Sequence, residues 1–170
     1  SGLHVQPEIL LKKRVAPKPL SFPTEHLDVV RDGMNLVVNG AGTAVRSKLQ
    51  LENITMAGKT GTAQVRRIAG AQRGQSGAWK YRDHGLFVCF APVAAPRYAA
   101  SVVIEHGMGG SRAAAPVAKD ALTFLFDREK AMEALETFEA GWGGTIKERM
   151  DRDYAAWKAG IARPDPGLAQ

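Results

Sequence analysis

The sequence predicts an α+β fold, in which helices pack on an antiparallel sheet of at least three strands and a helical C-terminal tail follows. Three observations carry this prediction. Apolar residues recur at helical spacing after residue 24, three segments between residues 54 and 105 are rich in β-branched, aromatic and small residues, and helical spacing returns after residue 116. The 170 residues, 45% hydrophobic and 24% charged, have the size and composition of one folded domain.

The first helix is predicted to begin at Thr24, with that residue as its cap, and to end at Asn39-Gly40. Its apolar face is formed by Leu27, Val30, Met34 and Val37/Val38. The residues before it contain four prolines, which favour extended connections. A short second helical piece is predicted over residues 43–49.

Three strands are predicted over residues 54–65, 85–93 and 98–105. The short connection at 94–97 indicates that the last two strands form an antiparallel hairpin. The connection from Arg66 to Asp83 is much longer, basic and glycine-bearing. Such a connection is typical of a loop that lines a binding site.

Helices are predicted to complete the fold. After a glycine-rich turn, Ser111 is the predicted cap and Pro116 lies in the first turn of a helix whose buried face is Val117, Ala121, Leu122 and Leu125. A further helix carries Leu135 and Phe138. The last begins at a capping box, Thr145 with Glu148, and presents a stripe predicted to pack against other helices, formed by Ile146, Met150, Tyr154 and Trp157.

The formal net charge of +6 is distributed unevenly along the chain. Five cations and no acid lie between Arg66 and Arg82, and a second basic cluster extends from Lys12 to Lys18. Such surfaces attract anions, but no helix-turn-helix or zinc-finger spacing accompanies them, and nucleic acid is not an expected partner. The single cysteine, Cys89, lies in an apolar run, which predicts a buried, unreactive thiol and excludes an internal disulfide framework.

The most informative segment is Met56-Ala57-Gly58-Lys59-Thr60-Gly61-Thr62-Ala63-Gln64. A phosphate-binding P-loop needs a glycine where Asn53 stands and a helix after the Lys-Thr pair, whereas Gly61 and Thr62 favour no helix. On a strand, Lys59 and Gly61 face one way and Thr60 and Thr62 the other. A cation with nearby hydroxyls can hold a substrate carboxylate, and a strand-edge N–H can donate to a tetrahedral oxyanion.

Further motifs follow in a fixed order: Asp83-His84-Gly85-Leu86-Phe87-Val88-Cys89-Phe90-Ala91-Pro92, then Val103 to Gly107, then Gly109-Gly110-Ser111 before Ala115-Pro116-Val117-Ala118. With the Lys-Thr-Gly strand, this succession resembles the C-terminal half of the transpeptidase domain of class B penicillin-binding proteins, most closely their elongation-specific members. The resemblance extends from about Gly2 to Phe126. It implies a division into residues 1–127, the C-terminal part of the transpeptidase domain, and 128–170, a helical extension.

By this resemblance, the chain is part of a serine-type peptidoglycan D,D-transpeptidase on the periplasmic side of the inner membrane, with its anchor outside this chain. Lys59 would be catalytic by supplying positive potential, Thr60 and Thr62 would hold the terminal carboxylate of a D-Ala-D-Ala peptide, and Gly61 would leave room for it. The Thr62 N–H would form half of the oxyanion hole. Stem peptides, β-lactams and the membrane elongation machinery are the implied partners of the full-length protein.

The family's other two motifs, Ser-x-x-Lys with the nucleophile and Ser-x-Asn, do not occur in these 170 residues. The chain alone is therefore expected to be inactive, and to self-associate through an exposed sheet edge. A non-catalytic module that binds peptidoglycan or a partner protein is the alternative.

Other polar residues give weaker evidence for a catalytic, metal or anion site. His84 is expected to be satisfied by a neighbour, Glu105 and His106 lack metal-ligand spacing, and the turn at 107–110 reads as a strand-to-helix connection rather than an anion site. No metal and no cofactor are expected.

Overall fold

The computed structural model describes residues 2–5, 16–66 and 78–161. The described chain begins with a two-stranded antiparallel ribbon, β1 (Leu3–His4) with β2 (Lys18–Pro19), which agrees with the extended connections predicted there. The basic cluster at 12–14, most of the connection between Arg66 and Asp83, and the C-terminal residues from 162 lie outside the described residues.

A three-stranded antiparallel sheet forms the centre of the fold, and its strands are β3 (Ala57–Ala63), β4 (His84–Ala91) and β5 (Tyr98–Ile104). β4 lies in the middle, and its hairpin with β5 is the one predicted from the short connection. The sheet and the helices packed on it confirm the α+β fold. The observed strands are shorter than the predicted segments at one or both ends.

The two faces of the sheet differ in burial. Phe87 and Cys89 on β4 point into the core, whereas Val88 is 45% exposed on the opposite face. That face also carries Val103 of β5, which pairs with Leu86 and is 55% exposed. The core is completed by residues from the helices and connections, namely Val38, Ala44, Leu49, Met56, Ala114, Ala115, Ala118 and Leu122. The opposite face therefore leaves apolar side chains in contact with water.

Helix α1 (Thr24–Asn39) has the predicted bounds, but its cap is not Thr24. Pro23 occupies the cap position and no side chain caps the helix, because Thr24 already has helical geometry in the first turn. The predicted second helical piece is reduced to one 3₁₀ turn, Val45–Ser47, which fits the low helix propensity of its β-branched residues.

Helix α2 (Ala115–Phe126) follows a π-helical turn, Gly110–Ala114, with Gly109 before it, so Ser111 is not a cap. The predicted buried face is also wrong except at Leu122. Ala115, Ala118 and Leu122 are buried, while Val117 and Leu125 are about half exposed. The small alanines allow the helix to approach the sheet closely, so they are buried in place of the larger Val117 and Leu125.

The C-terminal tail is helical, as predicted, with α3 (Arg128–Gly141) and α4 (Ile146–Lys158). The predicted capping box is present, since the Thr145 hydroxyl accepts from the Glu148 N–H and the Glu148 carboxylate accepts from the Thr145 N–H. The α4 stripe does not pack as predicted, because Ile146, Met150, Tyr154 and Trp157 are all largely exposed. No helix in the described part of the chain is long and apolar enough to cross a bilayer.

Candidate active site

The Lys-Thr-Gly motif lies on β3, which is an edge strand among the described residues. β4 pairs with one side of β3 along its whole length, from Ala57 opposite Phe90 to Ala63 opposite His84. The other side of β3 has no strand partner in the described ranges. An extended peptide can therefore add to this edge by backbone pairing. The motif is not a P-loop, because Lys59 and Thr60 are in a strand rather than at the start of a helix.

Two contacts indicate which backbone groups face the free edge. Gly110 packs over the point where Gly61 pairs with Leu86, with the Gly61 N and O and the Leu86 O close together. The Lys59 ammonium donates to the Thr60 carbonyl at 2.7 Å, as it can to a carbonyl that points away from β4. Because backbone groups alternate along an antiparallel strand, those of Thr60 and Thr62 share the free edge.

The side chains of the motif divide between the two faces as predicted. Lys59 pairs across the ladder with the exposed Val88, and Thr60 with the buried Phe87. Thr62 shares the face of Thr60, and both Lys59 and Thr62 are exposed. The motif therefore presents a cation on one side of the free edge and two hydroxyls on the other.

The Thr60 hydroxyl has a partner that the sequence analysis did not single out. Its Oγ1 lies 2.8 Å from the Thr43 Oγ1, on the connection after α1, and either hydroxyl can be the donor. The chain reaches this place through a tight approach at Gly42, where a Cβ would lie 2.3 Å from the Val37 Cα. Thr43 can donate to Thr60 and so leave the Thr60 proton free for a carboxylate.

The start of β3 is fixed from the same helix. The Asn39 side-chain amide, in the last turn of α1, donates to the Met56 carbonyl at 2.8 Å. Next along the strand, Gly58 lies directly against Phe87, and a Cβ there would meet the Phe87 ring at 2.3 Å. A side chain at Gly58 would displace the Phe87 ring, so glycine at this position lets β3 lie directly against the core.

The other end of β3 meets a histidine pair. The His84 Nδ1 accepts from the His106 backbone N–H at 2.9 Å, and the His106 Nδ1 lies 2.9 Å from the Arg82 carbonyl. The prediction that a neighbour satisfies His84 is confirmed. The Trp79 ring contacts the His106 ring in a tilted arrangement, with centroids 4.1 Å apart and an interplanar angle of 55°. This cluster holds the segment before β4 against the turn after β5.

The remaining candidates of the sequence analysis do not form a second reactive site. Within the described residues no three of His, Cys, Asp and Glu come together as a metal could require. In the turn at 107–110, the Met108 N–H donates to the Asp83 carbonyl and the Gly109 N–H to that of Gly107, as a strand-to-helix connection would. Cys89 is buried, and this burial raises the pKa of its thiol.

Sequence reasoning missed Thr43 and Gly110 as parts of the site, because each acts through a contact distant in sequence. Thr43 is a weak helix former at the start of the short predicted helical piece, and nothing local links it to Thr60. Gly110 reads as one of several turn glycines, and only the fold reveals the backbone packed on it. The sequence features that could have indicated these two residues are the pair Gly42-Thr43 after α1 and the pair Gly109-Gly110 before α2.

Comparisons with known proteins agree with this geometry. Residues 1–123 match the family model of the penicillin-binding protein transpeptidase domain. The peptidoglycan D,D-transpeptidase MrdA of Acinetobacter baumannii is 40% identical over 127 residues, which are 66% of this chain and 18% of that protein. The protein of the same name from Haemophilus influenzae is 31% identical over 103 residues, 59% of this chain and 16% of that protein.

Among solved structures, a complex between the penicillin-binding protein PBP2 and MreC from Helicobacter pylori is similar, with a TM-score of 0.59 and 28% identity. The similarity covers 75% of this chain and 23% of that one. The chain thus spans less than a fifth of the length of the curated relatives in Acinetobacter and Haemophilus.

Proposed function

The chain belongs to the penicillin-binding protein transpeptidase family, and we propose that it supplies the substrate-binding strand of a peptidoglycan D,D-transpeptidase. The observation that carries the proposal is the Lys-Thr-Gly motif on a strand whose outer edge is free, with two hydroxyls on one face and a cation on the other. The donor peptide, ending in D-Ala-D-Ala, adds to this edge as an extra strand.

In this binding mode the terminal carboxylate of the donor lies at Thr60 and Thr62. The Thr43–Thr60 contact, 2.8 Å between hydroxyl oxygens, supports this role, since Thr60 can accept from Thr43 and donate to the carboxylate. The exposed Lys59 adds positive potential, and Gly61, on the same face as Lys59, leaves room there for the substrate. The Thr62 N–H, at the free edge, donates to the oxyanion of the tetrahedral intermediate.

The nucleophile comes from outside these residues, since Ser-x-x-Lys and Ser-x-Asn do not occur in them. In the complete enzyme, the serine oxygen attacks the carbonyl of the penultimate D-Ala and the terminal D-Ala leaves as its amine. The amine of a neighbouring stem peptide then takes the acyl group from the serine and restores its hydroxyl. Residues 1–127 contribute to this catalytic domain, and residues 128–170 form an extension.

We place this activity on the periplasmic side of the inner membrane, where peptidoglycan is cross-linked. The elongation machinery is the proposed partner. Support for it comes from the Helicobacter relative, whose structure is a complex with MreC.

The test is covalent labelling by fluorescent penicillin of this chain and of the longest native polypeptide that contains it. The longer polypeptide is expected to be labelled and this chain to remain unlabelled. In the longer polypeptide Lys59→Ala and Thr60→Val should each slow labelling, by about tenfold for the loss of one hydrogen bond to a charged group. Thr60→Ser, which keeps the hydroxyl, should restore most of the rate.

Three results would contradict the proposal. If the longer polypeptide is not labelled, the alternative function, a non-catalytic module that binds peptidoglycan or a partner, takes the place of the transpeptidase. If the isolated 170-residue chain is labelled, it contains a nucleophile that the motifs do not identify. Equal labelling of the wild type and Thr60→Val would remove the threonine from carboxylate binding.

A further inference from the structure

A group of cations and aromatic rings lies just beyond the end of the substrate strand. The Arg66 guanidinium lies 5.6 Å and the Lys80 ammonium 5.0 Å from the centroid of the Tyr81 ring. Trp79 is next to them, half exposed and in tilted contact with the His106 ring. We call Arg66, Trp79, Lys80 and Tyr81 the Tyr81 platform.

The two cations of the platform have no anionic partner among the described residues. Neither Arg66 nor Lys80 forms an ion pair there, and the sequence from 66 to 82 contains no acid. Asp83, the next acid along the chain, accepts instead from the Val65 N–H at 3.3 Å. Both cations lie within 6 Å of the same ring centroid, so an anion that binds beside the ring is attracted by both.

The platform is fastened to the substrate strand. The Asp83–Val65 bond joins the segment that leaves β3 to the segment that enters β4, so that Arg66 and Tyr81 lie side by side. The Trp79 ring contacts the His106 ring. His106 in turn donates its backbone N–H to the Nδ1 of His84, the first residue of β4. The rings are therefore anchored to the sheet.

The direction of substrate binding points from the motif to this platform. With the terminal carboxylate of the donor at Thr60 and its reacting carbonyl at Thr62, the donor runs antiparallel to β3, and its upstream residues pass Ala63 toward Arg66. Arg66 is four positions beyond Thr62, at most about 13 Å in an extended chain, a reach of three or four substrate residues.

We propose that the Tyr81 platform is a subsite for an acidic residue of the donor stem peptide, upstream of its D-Ala-D-Ala end. The inference rests on the proposed function. Arg66 and Lys80 bind the side-chain or free α-carboxylate of that residue, and the Trp79 ring packs against the apolar part of the peptide. The subsite makes the enzyme prefer stem peptides whose carboxylate is free over those in which it is amidated.

The experiment uses the longest native polypeptide and two matched penicillins, whose acyl side chains are the same short peptide with either a glutamate or a glutamine. Acylation by the glutamate compound should be about fivefold faster, as expected for two exposed charge pairs. Arg66→Gln combined with Lys80→Gln should bring the ratio of the two rates to about one. Added salt should shrink the ratio in the wild type, an effect that a purely structural role would not produce.

The matched control is Arg97→Gln. Arg97 also lies over a tyrosine, 5.5 Å from the Tyr98 centroid, but at the opposite end of the strands, and its loss should leave the ratio unchanged. A ratio of one in the wild type, or an unchanged ratio in the double variant, would overturn the subsite. So would binding to phosphatidylglycerol vesicles that depends on Arg66 and Lys80 without any preference between the penicillins. If neither penicillin acylates the wild type, the proposed function itself fails.

Discussion

Replacing Gly110 by alanine tests how the substrate strand is held. Gly110 lies in the π turn before α2, and a Cβ there would be 2.0 Å from the Leu86 carbonyl oxygen and under 3 Å from the Gly61 N and O. All three atoms belong to backbone that is hydrogen-bonded within the sheet. The methyl group therefore cannot be accommodated by a rotamer change, and either the helix must lift or the β3–β4 ladder must open.

The expected cost follows from the size of the clash. The gap to the Leu86 oxygen is about 1 Å short of the closest approach that real Cβ atoms make, and displacing backbone in a packed region costs about 3 kcal/mol, the upper part of the overpacking range. Urea unfolding of this chain, followed by circular dichroism, measures the change in the free energy of unfolding. In the longer polypeptide the same substitution should slow penicillin labelling, because the displaced strand carries the Thr62 N–H.

The neighbouring residue provides a matched control. A Cβ at Gly109 meets nothing within 4 Å, and its extended backbone suits any residue, so Gly109→Ala should change the stability by less than about 0.5 kcal/mol. If Gly110→Ala unfolds at the same urea concentration as Gly109→Ala, the close packing of the turn on the strand is refuted.

Three further predictions concern other parts of the chain. Burial raises the pKa of the Cys89 thiol, so iodoacetamide should alkylate it slowly in the folded chain and rapidly in urea; fast alkylation of the folded chain would contradict this. The backbone N–H and the hydroxyl of Thr145 lower the pKa of Glu148, so the cap of α4 is fully present above the ordinary carboxyl pKa and is lost as the pH falls through the lowered value. Amide exchange in α4 should show this loss, and Glu148→Gln, which does not titrate, should not. The half-exposed Val88 and Val103 predict self-association of this chain, which lysine at both positions should weaken in analytical ultracentrifugation.

The sequence predicts correctly several features that depend on residues close together in the chain, such as strand alternation, the ends of α1 and the capping box of α4. The alternating pattern around Lys59 gave the correct division of side chains between the faces of β3, and the Thr145–Glu148 pair gave the capping box. Helix α1 was bounded correctly because Asn39-Gly40 ends it and Pro23 precedes it.

The predictions were wrong or incomplete where a contact between residues distant in sequence determines which side chains are buried or paired. The prediction buried Val117 and Leu125 of α2, whereas close approach to the sheet favours the small Ala115 and Ala118, which are buried with Leu122. The α4 stripe was predicted to pack because apolar residues at helical spacing usually face a partner. In the structure the stripe is exposed, since helical spacing does not determine whether another element covers that face. Thr43 was missed because its role depends on Thr60, which comes next to it only in the fold.

The way β3 is held separates its structural residues from its proposed substrate contacts. Its position is set by backbone packing, through Gly58 on Phe87 and through Gly110 over Gly61, while Lys59 and Thr62 are exposed and bury little. Lys59→Ala and Thr62→Ala should therefore change the stability of this chain by less than about 0.5 kcal/mol, although both should slow labelling of the longer polypeptide. Thermal unfolding of this chain, read beside that labelling, separates the two effects. A large loss of stability in either variant would show that these side chains support the strand, and a slowed rate would then say nothing about substrate binding.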